Sequence, residues 1–253
     1  MPKLNNFDIK LSILALFRKL KNIISSYTAT TFEKKLIKKS LDYPFCRTHE
    51  CVLWENIQIF NKIKKNIIDD SSIVECGVET GHSLVFFQHL LENYKIYNVM
   101  IYGYDTFEGV PEPSDNDIDS LNIPMKIEYQ NRLHDDGKSG WNNVSLEEVK
   151  KNFVNNTSEK KDLKLIKGKV EDTLLNDENL PKKIFILKLD APLYEATKIE
   201  LEKLYPKIQK GGVCIIDNYG TYKGIKKAVD EYFKNKNIKL NYSKLNKRMT
   251  IFV

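Results

Sequence analysis

Ile73-Val-Glu-Cys-Gly-Val-Glu-Thr-Gly-His-Ser83 decides the fold. A short apolar, β-prone run ends in Glu75, a turn carries Gly77 and Gly81, and Leu84-Val-Phe-Phe87 then opens an apolar pattern at helical spacing. Strand, glycine turn and helix start form the first half of a βαβ nucleotide-binding unit. Glycines there let the backbone approach a ligand where a Cβ would collide. The spacing is acidic-x-Gly-x-x-x-Gly, whereas a dinucleotide pyrophosphate asks for Gly-x-Gly-x-x-Gly, which weakens an NAD reading. A plain structural turn is the alternative. A carboxylate at the strand end suits a ligand that brings positive charge, such as the amino group of a methionine moiety.

Downstream of Ser72, strands and helices alternate. Strands are expected at 73–76, 99–105, 163–167, 184–189, 213–217, 238–242 and 249–253, with helices near 83–94, 145–155, 194–208 and 222–235. The runs Lys183-Ile-Phe-Ile-Leu-Lys-Leu-Asp190 and Gly212-Val-Cys-Ile-Ile-Asp217 are almost continuously apolar, as in parallel strands covered on both faces. The last two strands have no helix between them and are expected to pair as a hairpin, giving one antiparallel pair at an edge. The stretch 109–162 interrupts the alternation and is broken by Pro111, Pro113, Pro124, Gly137 and Gly140. It leaves the carboxyl end of the second strand, where open α/β sheets bind ligands, so it reads as a lid with Trp141 closing over a substrate. Residues 1–70 read as a helical extension ahead of a 71–253 domain. Helices are expected at 9–24, 31–40 and 52–66. The first is amphipathic, suited to packing on its own domain or on a second subunit, or to a membrane surface. The irregular loop Asp42–Glu50 mixes aromatic and ionisable residues and reads either as part of a pocket or as a connector.

At 253 residues, 42% hydrophobic and 29% charged, the chain is neither disordered nor membrane-spanning. Its net charge of +6 comes from scattered Lys rather than from a groove of Arg and aromatic readers. Nucleic acid is therefore not an expected partner. Cys46, Cys51, Cys76 and Cys214 contain no Cys-x-x-Cys pair, and no cleavable leader is visible, so a reducing, cytoplasmic setting is expected.

Four expected strands end in an acid: Glu75, Asp105, Asp190 and Asp217. The carboxyl edge of a parallel sheet gathers such ends into one crevice. Four carboxylates there would repel, so a cationic ligand, a metal or sugar hydroxyls should offset them. The competing reading makes each acid a helix N-cap. Asp105 stands where nucleotide folds grip a ribose diol, and Glu171-Asp172 follow the third strand within reach of an adenine edge. Asp190, Asp217 and Asn218 supply the hard oxygens that suit Mg²⁺, which would acidify a bound hydroxyl and leave Asp190 to take the proton.

Several segments in order resemble a known family: Glu75 to Ser83, Asp105-Thr-Phe-Glu-Gly-Val-Pro-Glu-Pro113, Lys167-Gly-Lys-Val-Glu-Asp-Thr-Leu174, Leu189-Asp-Ala-Pro-Leu-Tyr-Glu-Ala-Thr197, Leu204-Tyr-Pro206 and Gly211-Gly-Val-Cys-Ile-Ile-Asp-Asn-Tyr219. Together they are similar to the macrocin O-methyltransferase family. The resemblance implies a class I methyltransferase: a Rossmann-like, seven-stranded, mostly parallel sheet with an antiparallel C-terminal hairpin. It implies S-adenosylmethionine held by Glu75, Gly77, Thr80, Gly81, Ser83, Asp105, Thr106, Glu171, Asp172 and Asp190. Mg²⁺ would lie on Asp190, Asp217 and Asn218, with Asp190 as base. The family usually carries Asp where Asn218 stands and reads Asp-Gly-Asp-Leu-Tyr where this chain has Asp190-Ala-Pro-Leu-Tyr194, so this chain departs from the family's metal-site pattern at two positions. His49 and His134 lie in loops that would line an acceptor site and are the substitute bases. The expected activity is methylation of a sugar hydroxyl by a homodimer. A nucleotide-linked sugar destined for bacterial surface polysaccharide is the first candidate acceptor and a natural-product glycoside the second. A non-catalytic scaffold of the same fold and an NAD oxidoreductase are the readings from other classes.

Overall fold

The computed structural model describes residues 6–158 and 163–253, with side chains of the first helix from residue 13 onward. Its centre is a seven-stranded sheet in the order β3-β2-β1-β4-β5-β7-β6. β1 (Ser71–Cys76), β2 (Met100–Asp105), β3 (Leu163–Lys167), β4 (Lys183–Leu189) and β5 (Ile208–Ile216) run parallel. β7 (Arg248–Phe252) is antiparallel to both β5 and β6 (Asn241–Ser243), so the hairpin enters with its second strand inside and its first at the edge. The sequence places an antiparallel pair at the edge; the structure makes two such pairings. The edge strand is short and later than expected, which limits the exposed ladder.

Alternate residues of the strands feed two cores, the period-2 consequence of the pleat. Ile73, Ile101, Val213 and Ile215 face one side, where they pack with α2 (Thr31–Asp42), α3 (Glu50–Ile63), α4 (His82–Asn93) and α6 (Leu146–Asn156). Val74, Cys76, Leu187, Leu189, Cys214 and Ile216 face the other, against α7 (Val170–Thr173), α8 (Tyr194–Lys203) and α9 (Lys223–Phe233). Each buried Leu or Phe on these faces stabilises the fold by about 1.5–3 kcal/mol. The helices of the N-terminal third have no core of their own: Leu53, Trp54, Ile57 and Phe60 of α3 belong to the first sheet face. α1 (Asn6–Thr28) leaves a row of apolar side chains exposed.

Local chemistry sets the element ends. α2 begins in a capping box, with Thr30 Oγ1 accepting from Glu33 N–H at 3.2 Å and Glu33 Oε2 accepting from Thr30 N–H at 2.7 Å. Thr30→Ala would remove about 1 kcal/mol there. α8 stops at Lys203 rather than running to 208, because Pro206 has no N–H to continue the ladder and a 3₁₀ turn over Tyr205–Lys207 leads into β5.

The insertion after β2 divides in two. Its second half, α6, is the crossover helix that the parallel β2–β3 pair requires, packed through Val149 and Phe153. Its first half contains α5 (Met125–Asn131) and is pinned to the body. Asp117, buried, accepts from Tyr194 N–H at 2.7 Å at the start of α8, and Lys223 N–H donates to Ile118 O at 2.7 Å at the start of α9. Trp141 is buried, and its carbonyl accepts from Val110 N–H at 2.8 Å.

Candidate active site

The carboxyl ends of β1, β2, β4 and β5 open into one cavity of about 590 Å³, within the range of small-molecule sites. Its wall includes all four strand-end acids, Glu75, Asp105, Asp190 and Asp217. Ladder bonds keep the ends level: Gly77 N–H donates to Tyr104 O at 2.9 Å, Asp190 N–H to Cys76 O at 2.8 Å and Asp217 N–H to Leu189 O at 2.8 Å.

The glycine turn forms one end. Gly77 sits at φ +80°, and a Cβ there would come within 2.6 Å of the Asp190 carbonyl carbon. Gly81, at φ +78°, starts α4. Asp105 braces this turn, its Oδ2 accepting from Val78 N–H at 2.8 Å and Glu79 N–H at 3.0 Å, and its Oδ1 from Phe107 N–H at 2.8 Å. Thr106 Oγ1 gives its proton to Gly109 O at 2.6 Å. With three backbone donors on two oxygens, Asp105 shapes the cradle; the ribose grip expected of it competes with that use. Thr80 is also engaged, donating from Oγ1 to Phe45 O at 2.8 Å. Glu171 lines the cavity, whereas its neighbour Asp172 is exposed and lies outside the lining.

A buried charge network forms the floor. Lys188 Nζ lies 2.6 Å from Glu75 Oε1, 2.6 Å from Asp190 Oδ2 and 3.2 Å from Asp217 Oδ2. Ser83 Oγ also donates to Glu75 Oε1, while Glu75 Oε2 is buried without a partner. Asn218 Nδ2 donates to Asp190 Oδ1 at 3.0 Å. Arg248, 2% exposed, pairs its Nε with Asp217 Oδ1 as an ionic contact and donates from Nη1 to Asn56 Oδ1 at 3.0 Å. Burial raises the Lys188 network's carboxyls unequally. Asp190 is driven well above the usual carboxylate range by burial and by the charges of Asp217 and Glu75, against the pull of Lys188. Glu75 also rises through burial, against Lys188 and Ser83. Burial pushes Asp217 the same way, but Arg248 and Lys188 outweigh it and leave it lowered. Lys188 stays firmly protonated because the three carboxylates outweigh its own burial.

Sequence reasoning anticipated the converging acids and missed the cations among them. Lys188 is signalled by being the one charge inside a fully apolar run, since a buried Lys must be paired. Arg248 has no comparable local signal. His49 lines the cavity at the start of α3. His134 does not: it is exposed in a turn where its N–H donates to Lys138 O, so it leaves the set of candidate bases.

The donor set also tests the expected Mg²⁺ site. Both oxygens of Asp190 and both of Asp217 already face Lys188, Asn218 or Arg248 nitrogen atoms. Mg²⁺ requires free oxygens at about 2.0–2.1 Å in octahedral array. Asn218 presents an N–H to Asp190; turned over, its carbonyl would face a carboxylate oxygen at 3.0 Å and repel it. Among the described residues, no group of three or more His, Cys, Asp and Glu side chains could hold a metal ion. The residues present do not fit the ion.

A sheet of this order with its cavity at the parallel strands' carboxyl ends is the class I methyltransferase fold. The chain belongs to the macrocin O-methyltransferase family, whose model matches residues 8–252. Demethyldecarbamoylnovobiocin O-methyltransferase of Streptomyces niveus is 25% identical over 82% of this chain and 76% of its own. Mycinamicin III 3''-O-methyltransferase of Micromonospora griseorubida is 25% identical over 81% of this chain and 78% of its own. The solved structure of the O-methyltransferase NovP superposes with a TM-score of 0.67 at 21% identity, covering 94% of this chain and 98% of that one. The family makes the chain an S-adenosylmethionine-dependent O-methyltransferase. No helix among the described residues is long and apolar enough to cross a membrane.

Proposed function

We propose that the chain methylates a hydroxyl of a phosphate-bearing sugar, with S-adenosylmethionine as donor and Asp190 as base. The supporting observation is one cavity lined both by the strand-end carboxylates and by Arg18, Arg47 and Lys247. Glu75 Oε2 there is buried and unpartnered, which suits the cofactor's ammonium group. Bound there, the cofactor supplies an electrophilic methyl group. The Asp190 side chain is 28% exposed, and burial raises its proton affinity. It takes the hydroxyl proton as the acceptor oxygen bonds to the methyl carbon and the sulfur–carbon bond breaks, leaving a neutral thioether. Gly77, Gly81 and the turn that Asp105 braces hold the donor in line, so positioning carries much of the rate. No step passes through a divalent ion.

The basic side chains of the lining favour the phosphate. Arg18 of α1, Arg47 and His49 of the α2–α3 loop and Lys247 of the terminal hairpin line the same cavity. A sugar joined to a nucleoside diphosphate would place its phosphates against Arg18, Arg47 and Lys247, where guanidinium groups bind phosphate in bidentate fashion. A natural-product glycoside is the second reading, favoured by the novobiocin and mycinamicin substrates of those two relatives. Assays of radiolabelled methyl transfer to nucleotide-linked sugars, the free sugars and macrolide glycosides decide between them. Transfer to the nucleotide-linked sugar alone supports the phosphate reading, and transfer only to uncharged glycosides defeats it.

A second copy of the chain is the proposed macromolecular partner. Ile13, Phe17, Leu20, Ile24 and Tyr27 are exposed along α1 at alternating spacings of four and three, the seam geometry of paired helices. Sedimentation of the wild type against Phe17→Glu tests this; a monomeric wild type rejects it.

A further inference from the structure

We propose that Lys188, with Arg248 and the Asn218 amide, stands in for the divalent ion in this site, so that Asp190 is oriented for methyl transfer without bound metal. The inference rests on the methyltransferase reading and on charge and geometry at the floor of the cavity.

An ammonium group has three N–H donors, and Lys188 has one carboxylate partner for each: Glu75 at 2.6 Å, Asp190 at 2.6 Å and Asp217 at 3.2 Å. Its side chain is 8% exposed, so these contacts are shielded from water. An ion bound to Asp190 Oδ2 and Asp217 Oδ2 at about 2.1 Å would have to share the same two oxygens with the ammonium. Its distance from Nζ could not exceed about 4.7 Å, given the 2.6 Å contact with Asp190.

The charge count agrees. With all three acids ionised, Glu75, Asp190 and Asp217 bring three negative charges against two positive ones from Lys188 and Arg248. In that state the cluster carries one residual negative charge, which suits a cofactor's ammonium or sulfonium group at Glu75. A divalent ion would overturn that balance in a buried site. An Asp at 218 would supply the missing charge; Asn218 instead donates to Asp190 Oδ1 at 3.0 Å. Lys188 and Asn218 thus grip Asp190 from its two oxygens and fix the plane of its carboxylate. Lys188 is a positioning residue in this scheme: the proton goes to Asp190.

The direct test is Mn²⁺ binding, followed by electron paramagnetic resonance, on the full chain with S-adenosylhomocysteine bound. The wild type is expected to show no stoichiometric site at submillimolar Mn²⁺. Lys188→Met combined with Asn218→Asp exposes and recharges the oxygens, and should bind Mn²⁺ at least about tenfold tighter. With an acceptor in hand, wild-type turnover should be equal in EDTA and in millimolar Mg²⁺. Lys188→Arg should keep metal-free turnover, with kcat rather than KM carrying any loss, while Lys188→Met loses kcat. Stoichiometric Mn²⁺ binding by the wild type that Asp190→Asn abolishes would overturn the proposal, as would turnover lost in EDTA and restored by Mg²⁺. Failure to find any sugar acceptor would count against the proposed function, and the wild-type Mn²⁺ titration would still decide this inference.

Discussion

Gly77→Ala is the sharpest perturbation of the site, because the damage can be worked out from the backbone. The new Cβ would lie 2.6 Å from the Asp190 carbonyl carbon and 2.7 Å from both Asp190 O and Ala191 N, about 0.8 Å inside ordinary contact. These are main-chain atoms of the adjoining strand end, so no side chain can swing aside. A non-glycine residue at φ +80° adds about 1–2 kcal/mol of left-handed strain, and forced overpacking adds about 1–3 kcal/mol. The total of about 2–5 kcal/mol corresponds to a Tm fall of about 4–20 °C for a chain of this size. Gly137→Ala is the control: its φ is +79°, and nothing lies within 4 Å of the new Cβ. It should lose only the strain contribution of about 1–2 kcal/mol. Thermal unfolding of both variants, with calorimetric titration of S-adenosylhomocysteine, separates conformation from collision. Gly77→Ala should be the less stable and should lose cofactor affinity, because β1 and β4 must separate at the cavity. Equal Tm values together with unchanged affinity would refute the claim that close approach at Gly77 builds the cradle.

Asp105→Ala should leave the Val78, Glu79 and Phe107 N–H groups without their acceptor. At about 1.5–3 kcal/mol per bond to a charged group, it should weaken S-adenosylhomocysteine binding by at least about tenfold in calorimetry. His82 governs part of the acid limb of stability. Burial pushes it down to about 4, against the Ser40 carbonyl it faces at 3.1 Å, with the charge of Lys188 assisting burial. The unfolded chain takes up that proton near pH 6.5 and the folded chain only near 4. Stability from this residue is therefore full above about 6.5 and falls by roughly 3 kcal/mol as pH drops to about 4. His82→Asn should flatten that window in a denaturant series across pH, and an unchanged slope would discard the assignment. Arg47→Ala should raise KM for a nucleotide-linked acceptor about tenfold while leaving S-adenosylhomocysteine affinity unchanged; equal losses for both ligands would remove Arg47 from the acceptor wall.

What the sequence reveals about this site depends on whether a residue's partner is set by local rules. Glu75, Asp105, Asp190 and Asp217 could be gathered on paper because each ends a parallel strand, and parallel strands of one sheet finish at the same edge. Lys188 is legible in a weaker sense: one charge in an otherwise buried strand announces a partner without naming it. Arg248 is not legible at all. It reaches Asp217 because β7 inserts beside β5 with Ile216 opposite Met249, and no spacing in the chain encodes that register. Asp117 is hidden for the same reason: an acid in a polar insertion looks like solvent-facing sequence until it accepts from the first N–H of α8.

The same contrast bears on the expected Mg²⁺ site. Strand-end acids do need a counter-charge, and a divalent ion is the answer if the only visible neighbours are Asn218 and water. Two buried cations, one of them delivered by the inserted strand, change the outcome without altering a single acid. The repulsion among Glu75, Asp190 and Asp217 is offset within the fold. A positively charged methyl donor then enters a cavity that retains one uncompensated carboxylate oxygen, Glu75 Oε2, rather than a crowded anionic well.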